Sequence, residues 1–440
     1  MSKRRFVALA GCGLFLLALT GLGLVVQRQQ DTDATVIVGI AQGAVYLAAL
    51  TVLRRCPPSR RIVVFVLGVA AAMRVPVLFA PPYLSTDIYR YVWDGRVTAA
   101  GINPYRYVPA DPHLAPLRDR AIYPHINRRN YAHTIYPPAA EAIFFAVTRL
   151  SASVTAMKAA MLGCEAIAVA LLLRLLVLSG QKPTRIAIYA WHPLPLWEFA
   201  GSGHIDAAIV ALVALALWGT RRQSRWLPGI ALAGATLVKF YPAVIFPALW
   251  RRRDWRMPAV FAAVVVLAYL PFIGVGWGVL GFLPRYFGEE GFTKGGPGFY
   301  WWDLAKALLP LGAASDLPYL ACAAALMAAL AFYAMFRQTD EFCAAGLLAA
   351  VFMALVSPHY PWYFAWLIIF ASLVPSGALA WLTVTSFLLY LIPVTSAFSW
   401  GRHRLIVESA LYLPFLALFA SDLWRRRRQE EQPRHGDIAA

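Results

Sequence analysis

Tyr83-Leu-Ser-Thr-Asp-Ile-Tyr-Arg-Tyr-Val-Trp-Asp-Gly-Arg-Val-Thr-Ala-Ala-Gly-Ile-Asn-Pro-Tyr105 interrupts a chain that is otherwise mostly apolar runs of membrane length. Ser85 or Thr86 can cap a helix whose first turn holds Asp87. Gly101 stops that helix, and Asn103-Pro104 prevents it from resuming. Asp87, Arg90, Tyr91 and Asp94 sit at i, i+3, i+4 and i+7, so they share one helix face. A carboxylate in a first helical turn is favoured by the helix dipole and tends to stay ionised. That suits a base better than an acid. The same spacing also fits an interfacial helix with local ion pairs and a Tyr/Trp belt.

The surrounding composition decides the fold class. Hydrophobic residues make up 60% of the 440 and charged residues 14%, against about 25% charged in soluble domains. Repeated apolar runs of about 20 residues mean an all-α polytopic membrane protein. We expect about 12–14 transmembrane or half-membrane helices in one unit spanning roughly 1–424, with a basic and disordered tail over roughly 425–440. The net charge of +18 does not imply nucleic acid, because Lys and Arg cluster between apolar runs in the positive-inside pattern. Five cysteines without metal-like spacing imply free thiols. The apolar run Phe6–Val26 after Lys3, Arg4 and Arg5 is long and lacks a small-residue cleavage site, so it reads as a retained first helix.

Basic clusters then fix the topology. Lys3, Arg4 and Arg5 lie inside, and so do Arg54, Arg55, Arg60 and Arg61, which places the stretch after the third helix outside. The polar segment over roughly 81–137 is long for a connector, and such loops carry function. Its end collects Tyr123, His125, Asn127, Arg128, Arg129, Tyr131, His133 and Tyr136. Aromatic rings beside hydrogen-bonding groups suit a sugar; a lip facing lipid headgroups would look similar. Roughly 139–150 reads as a partial helix. Roughly 185–200 and 204–219 read as a hairpin whose tip holds His204 and Asp206, polar groups at membrane depth. Basic clusters flank both sides of 226–250, so that stretch should be two half-helices with Lys239 at their outer tip. A second outer loop over roughly 274–303 holds the Gly-rich run Gly291-Phe-Thr-Lys-Gly-Gly-Pro-Gly298, which can be a mobile lid or a plain connector. Two later outer turns stand out: Ser357-Pro-His-Tyr-Pro-Trp-Tyr-Phe364, with His359 and Tyr360, and Ser399-Trp-Gly-Arg-His-Arg404. Arg402, His403 and Arg404 are cations on the outer side, against the charge rule, which points to a lipid phosphate or to ordinary anionic headgroups.

There is no Walker motif, zinc set or serine-hydrolase elbow. Outside the cytoplasm nucleotide sugars are absent, so a sugar donor must be a lipid phosphate already in the membrane. Such a donor needs no cofactor, because its leaving group is an activated phosphate. The enzyme must deprotonate an acceptor hydroxyl and hold the departing phosphate. Asp87-Ile-Tyr-Arg-Tyr-Val-Trp-Asp-Gly-Arg-Val, Ala100-Gly-Ile-Asn-Pro-Tyr105, Lys239-Phe-Tyr-Pro242 and the Ser357–Phe364 turn resemble bacterial GT-C glycosyltransferases. The nearest resemblance is to the polyprenol-phosphate-mannose-dependent mannosyltransferases. It implies a polyprenyl-phosphate sugar donor, a lipid-linked or cell-envelope glycan acceptor, an inverting reaction and a catalytic Asp in the first outer loop. Asp87 matches that position, with Asp94 the second choice. The resemblance also implies residence in the bacterial inner membrane, termini in the cytoplasm and the active site on the other face. Two apolar spans before the motif helix depart from the family's usual layout. The competing class is a transporter or flippase of a lipid-linked sugar or a small polar substrate, which broken helices and intramembrane charges also fit.

Overall fold

The computed structural model describes residues 3–252, 254–289, 298–311, 315–336, 340–392 and 400–431, and every regular element among them is helical. Seven described helices are long and apolar enough to cross a membrane, and four shorter apolar helical segments accompany them. The first six helices are α1 (Lys3–Arg28), α2 (Thr32–Arg54), α3 (Arg60–Phe79), α4 (Asp87–Ala99), α5 (Pro138–Leu150) and α6 (Val154–Leu178). The polar stretch beginning at Tyr83 therefore does fold as the short helix α4, set between two spans. Thr86 makes no side-chain cap; Ser85 Oγ instead accepts the Asp87 N–H at 3.2 Å.

Several polar groups inside the bundle are paired, as a medium without water favours. Arg74 of α3 holds Glu165 of α6 through two bonds of 2.8 and 2.6 Å and also donates to the Ala190 carbonyl. Pro76 lies within α3 near the end where carbonyls lose their helical donors. The fully buried Lys158 of α6 supplies replacements, donating to Val77 O at 2.8 Å and Ala80 O at 2.7 Å. This fixes the end of α3 a few residues before α4 begins. Gln42 of α2 links Thr20 to the indole of Trp197. Among the described residues the cysteines form no disulfide.

The hairpin expected over 185–219 has only one continuous arm, the Asp206–Arg221 helix. The other arm is broken into Pro183–Ile186, Ala187–Ala190, Pro193–Pro195 and the wide-turned Leu196–Gly201. Pro183, Pro193 and Pro195 explain the breaks, since each removes an N–H from the ladder. The expected split of 226–250 is present: Leu227–Thr236 is helical, the chain turns through Lys239, and Tyr241–Ile245 and Phe246–Leu249 follow. The break is sealed by α5, whose Ala139 N–H donates to the Leu237 carbonyl at 3.0 Å. Two broken ends thereby satisfy each other beside the polar loop.

Much of the stretch expected as a second outer loop is helical. Leu270–Leu280 continues the preceding span, and Leu283–Glu289 is a short helix lying over the first loop. The Phe282 N–H donates to Thr134 O at 3.0 Å. At Gly281 a Cβ would fall on that same carbonyl, so only glycine permits this approach. Residues 290–297, which contain most of the Gly-rich run, lie outside the described residues, as do Ser399 and 432–440. The last helix, Trp400–Glu431, runs through the Arg425–Arg428 cluster instead of ending before it; arginine is a good helix former.

Candidate active site

A cavity of about 870 Å³ opens where α4, the returning end of the first loop, the Lys239 break, the Leu283–Glu289 helix and the Ser357–Phe364 turn meet. Asp87 lines it from the first turn of α4. Asn127, from 40 positions later, donates to Asp87 Oδ1 at 2.8 Å. Burial pushes the Asp87 carboxyl above the usual carboxylate range; the nearby Lys239 ammonium, the Asn127 bond and Arg128 oppose that rise. A carboxylate with a raised proton affinity, still accompanied by cations, is suited to accept a proton near neutral pH.

Packing holds α4 in place. Gly95 lies against α5 so closely that a Cβ would come within 2.3 Å of the Phe144 carbonyl oxygen. Tyr91, fully buried, stacks on Phe144 at 4.6 Å and meets the edge of Tyr136 at 5.1 Å. Arg90 Nε donates to both carboxylate oxygens of Asp94 at 2.8 Å, and Arg90 also donates to Ala132 O. Asp94 is buried in this pair and does not line the cavity, while Arg90 does. Glu141 of α5, accepting from Thr134 at 2.7 Å, completes a buried cluster under the loop.

Lys239 also lines the cavity and pairs with Asp206 at 2.6 Å, and its ammonium lies 4.7 Å from the Tyr363 ring centre. Asp206 is fully buried behind it and also accepts from Tyr241 at 2.8 Å. His204 is buried one layer back, stacked at 4.0 Å on Trp362, which also stacks on Tyr360 at 4.5 Å. His359 lines the cavity, and the buried Arg404 stands behind it, donating to its ring nitrogen at 2.9 Å and to Glu408 at 3.0 Å.

Of the residues singled out in the sequence, Asp87, Arg90, His133, Tyr136, Lys239, His359 and Tyr360 line this one cavity. Asp206, His204 and Arg404 support it from behind. Tyr91 and Asp94 pack α4. His403 is exposed, against the Leu391 carbonyl at 3.2 Å, and the Arg402 side chain lies outside the described residues. His133 is held below the usual imidazole range by burial and by Arg90, so it is neutral at neutral pH. Tyr241 and Trp362 belong to the site although only the motifs around them drew notice. The role of Asn127 was invisible in spacing, because nothing local links it to Asp87.

A family model described as alpha-(1->6)-mannopyranosyltransferase, N-terminal domain, matches residues 5–251, more than half of the chain. The chain belongs to this family. No curated protein and no solved structure matches it. The matched part of this membrane mannosyltransferase contains α4, Asn127, Asp206 and the Lys239 break. His359 and Arg404 lie beyond it.

Proposed function

We propose that the protein transfers mannose from a polyprenyl-phosphate donor to an acceptor hydroxyl on the extracytoplasmic face, with inversion and with Asp87 as general base. The observation that carries this reading is the Asp87 carboxylate, bonded by Asn127, lining a cavity large enough for a sugar and part of a lipid chain together with Lys239, Arg90 and Arg128. The acceptor oxygen attacks the anomeric carbon while Asp87 takes its proton. The bond from that carbon to the phosphate oxygen breaks on the opposite face, and its electron pair leaves with the phosphate. Polyprenyl phosphate and the mannosylated acceptor result. A β-linked donor then gives an α-linked product, in keeping with the family's description. His359, backed by Arg404, is placed to stabilise the departing phosphate, and Val244, Phe352, Met353 and Val356 offer an apolar wall for the prenyl chain. The basic clusters support the outward placement of this site.

Sealed right-side-out vesicles carrying labelled polyprenyl-phosphate mannose test the proposal. Methyl α-mannoside added outside should become labelled while polyprenyl phosphate accumulates. Movement of label between leaflets without cleavage of the donor would instead establish a flippase.

A further inference from the structure

The Lys239–Asp206 pair does not have the form expected of a phosphate-binding lysine. Lys239 faces the cavity, but its ammonium is 2.6 Å from a carboxylate that is itself fully buried and absent from the cavity wall. Asp206 opens the 16-residue helix Asp206–Arg221, where the positive end of the dipole favours its charge. Both its oxygens are engaged, one by Lys239 and one by the Tyr241 hydroxyl at 2.8 Å. Lys239 in turn sits on the turn between two broken helices, with the Tyr363 ring against its ammonium. It is near enough to Asp87 to act on that group's charge, yet its ion pair is with Asp206. An ammonium released in this cavity would find Asp87 as an alternative carboxylate, and a base locked in an ion pair cannot take a proton at the same position.

Resting on the reading of Asp87 as base, we infer that Asp206 is a positioning residue that tethers Lys239 away from Asp87, keeping the base open to the acceptor hydroxyl. Lys239 then serves as a neighbouring charge for Asp87 and not as a hold on the donor phosphate.

The test measures kcat, donor KM and pH profiles of purified variants with labelled polyprenyl-phosphate mannose and methyl α-mannoside. Asp206→Asn keeps the shape and frees the lysine. Its kcat should fall about 100-fold, the loss expected when a general base is blocked, with donor KM little changed. The acid limb of its profile should move to lower pH, because a negative neighbour is gone and the ammonium approaches Asp87. The double variant Asp206→Asn/Lys239→Met should regain at least about tenfold over the single one, since the offending cation is removed. A merely structural Asp206 gives no such recovery, and that result overturns the inference. Lys239→Met alone gives an answer even if Asp206→Asn does not fold. The tether requires its acid limb to move to higher pH with donor KM within about threefold. A donor KM raised more than about tenfold with an unmoved limb makes Lys239 a phosphate ligand and overturns the inference. If Asp87→Asn proves active, the reading of the base fails and takes the tether with it. If Asp87→Asn is inactive and the double variant gains nothing, the tether alone is wrong.

Discussion

Asp87 is a carboxylate whose chemistry is set by burial and by neighbours from other parts of the chain. Desolvation raises its proton affinity, while Lys239, Asn127 and Arg128 lower it. As a base it must be deprotonated, so activity is lost as pH falls through its raised pKa. The acid limb of the rate profile should therefore lie above the value of a free aspartate. Asn127→Ala removes a bond that favours the charged form, so the limb should move further up and kcat at neutral pH should fall about tenfold. A limb that stays in place when measured against pH would remove Asn127 from the site. The residues of α4 were legible in sequence because helix periodicity groups Asp87, Arg90, Tyr91 and Asp94. The division of labour among them was only half legible. The i, i+4 spacing pairs Arg90 with Asp94, and the structure shows that pair buried, whereas Asn127 and Asp87 meet only through tertiary folding.

The elements that shape the site are held by close backbone approaches and by broken helices that cap one another. The α4–α5 contact depends on Gly95, because the nearest atom to an added Cβ is a backbone oxygen that cannot swing aside. Gly95→Ala should cost about 1–3 kcal/mol through overpacking, seen as a lower midpoint of thermal unfolding in detergent. It should also lower activity, since Asp87 is on the same helix. An unchanged midpoint would show that the two helices separate freely. The existence of the long helices was legible because apolar length and flanking arginines mark them, although the last one runs on through its arginine cluster. The Lys239 break was readable for a different reason, since basic clusters on both sides forbid a single crossing. The fragments between Pro183 and Gly201 were read as one span; apolar composition hides breaks when a buried segment can satisfy its carbonyls through neighbours.

On the scale of the whole molecule, the bundle gathers polar groups from five separate regions around one cavity. The family match covers α1 to the Lys239 break, and the His359–Arg404 pair is contributed from outside it. The fold class was legible from composition alone, and the outward placement rests on charge clusters that any positive-inside reading would use. The meeting of α4 with the Ser357–Phe364 turn was not, because no local pattern encodes contacts between residues hundreds of positions apart. The proposed reaction is divided between Asp87 as the base and His359, backed by Arg404, beside the departing phosphate. The most direct test is turnover of labelled polyprenyl-phosphate mannose by purified Asp87→Asn beside the native protein, with donor binding measured in parallel. Loss of turnover by about 10²–10⁴-fold with donor binding retained is the expected result; near-native turnover would contradict the assignment of Asp87 as the base.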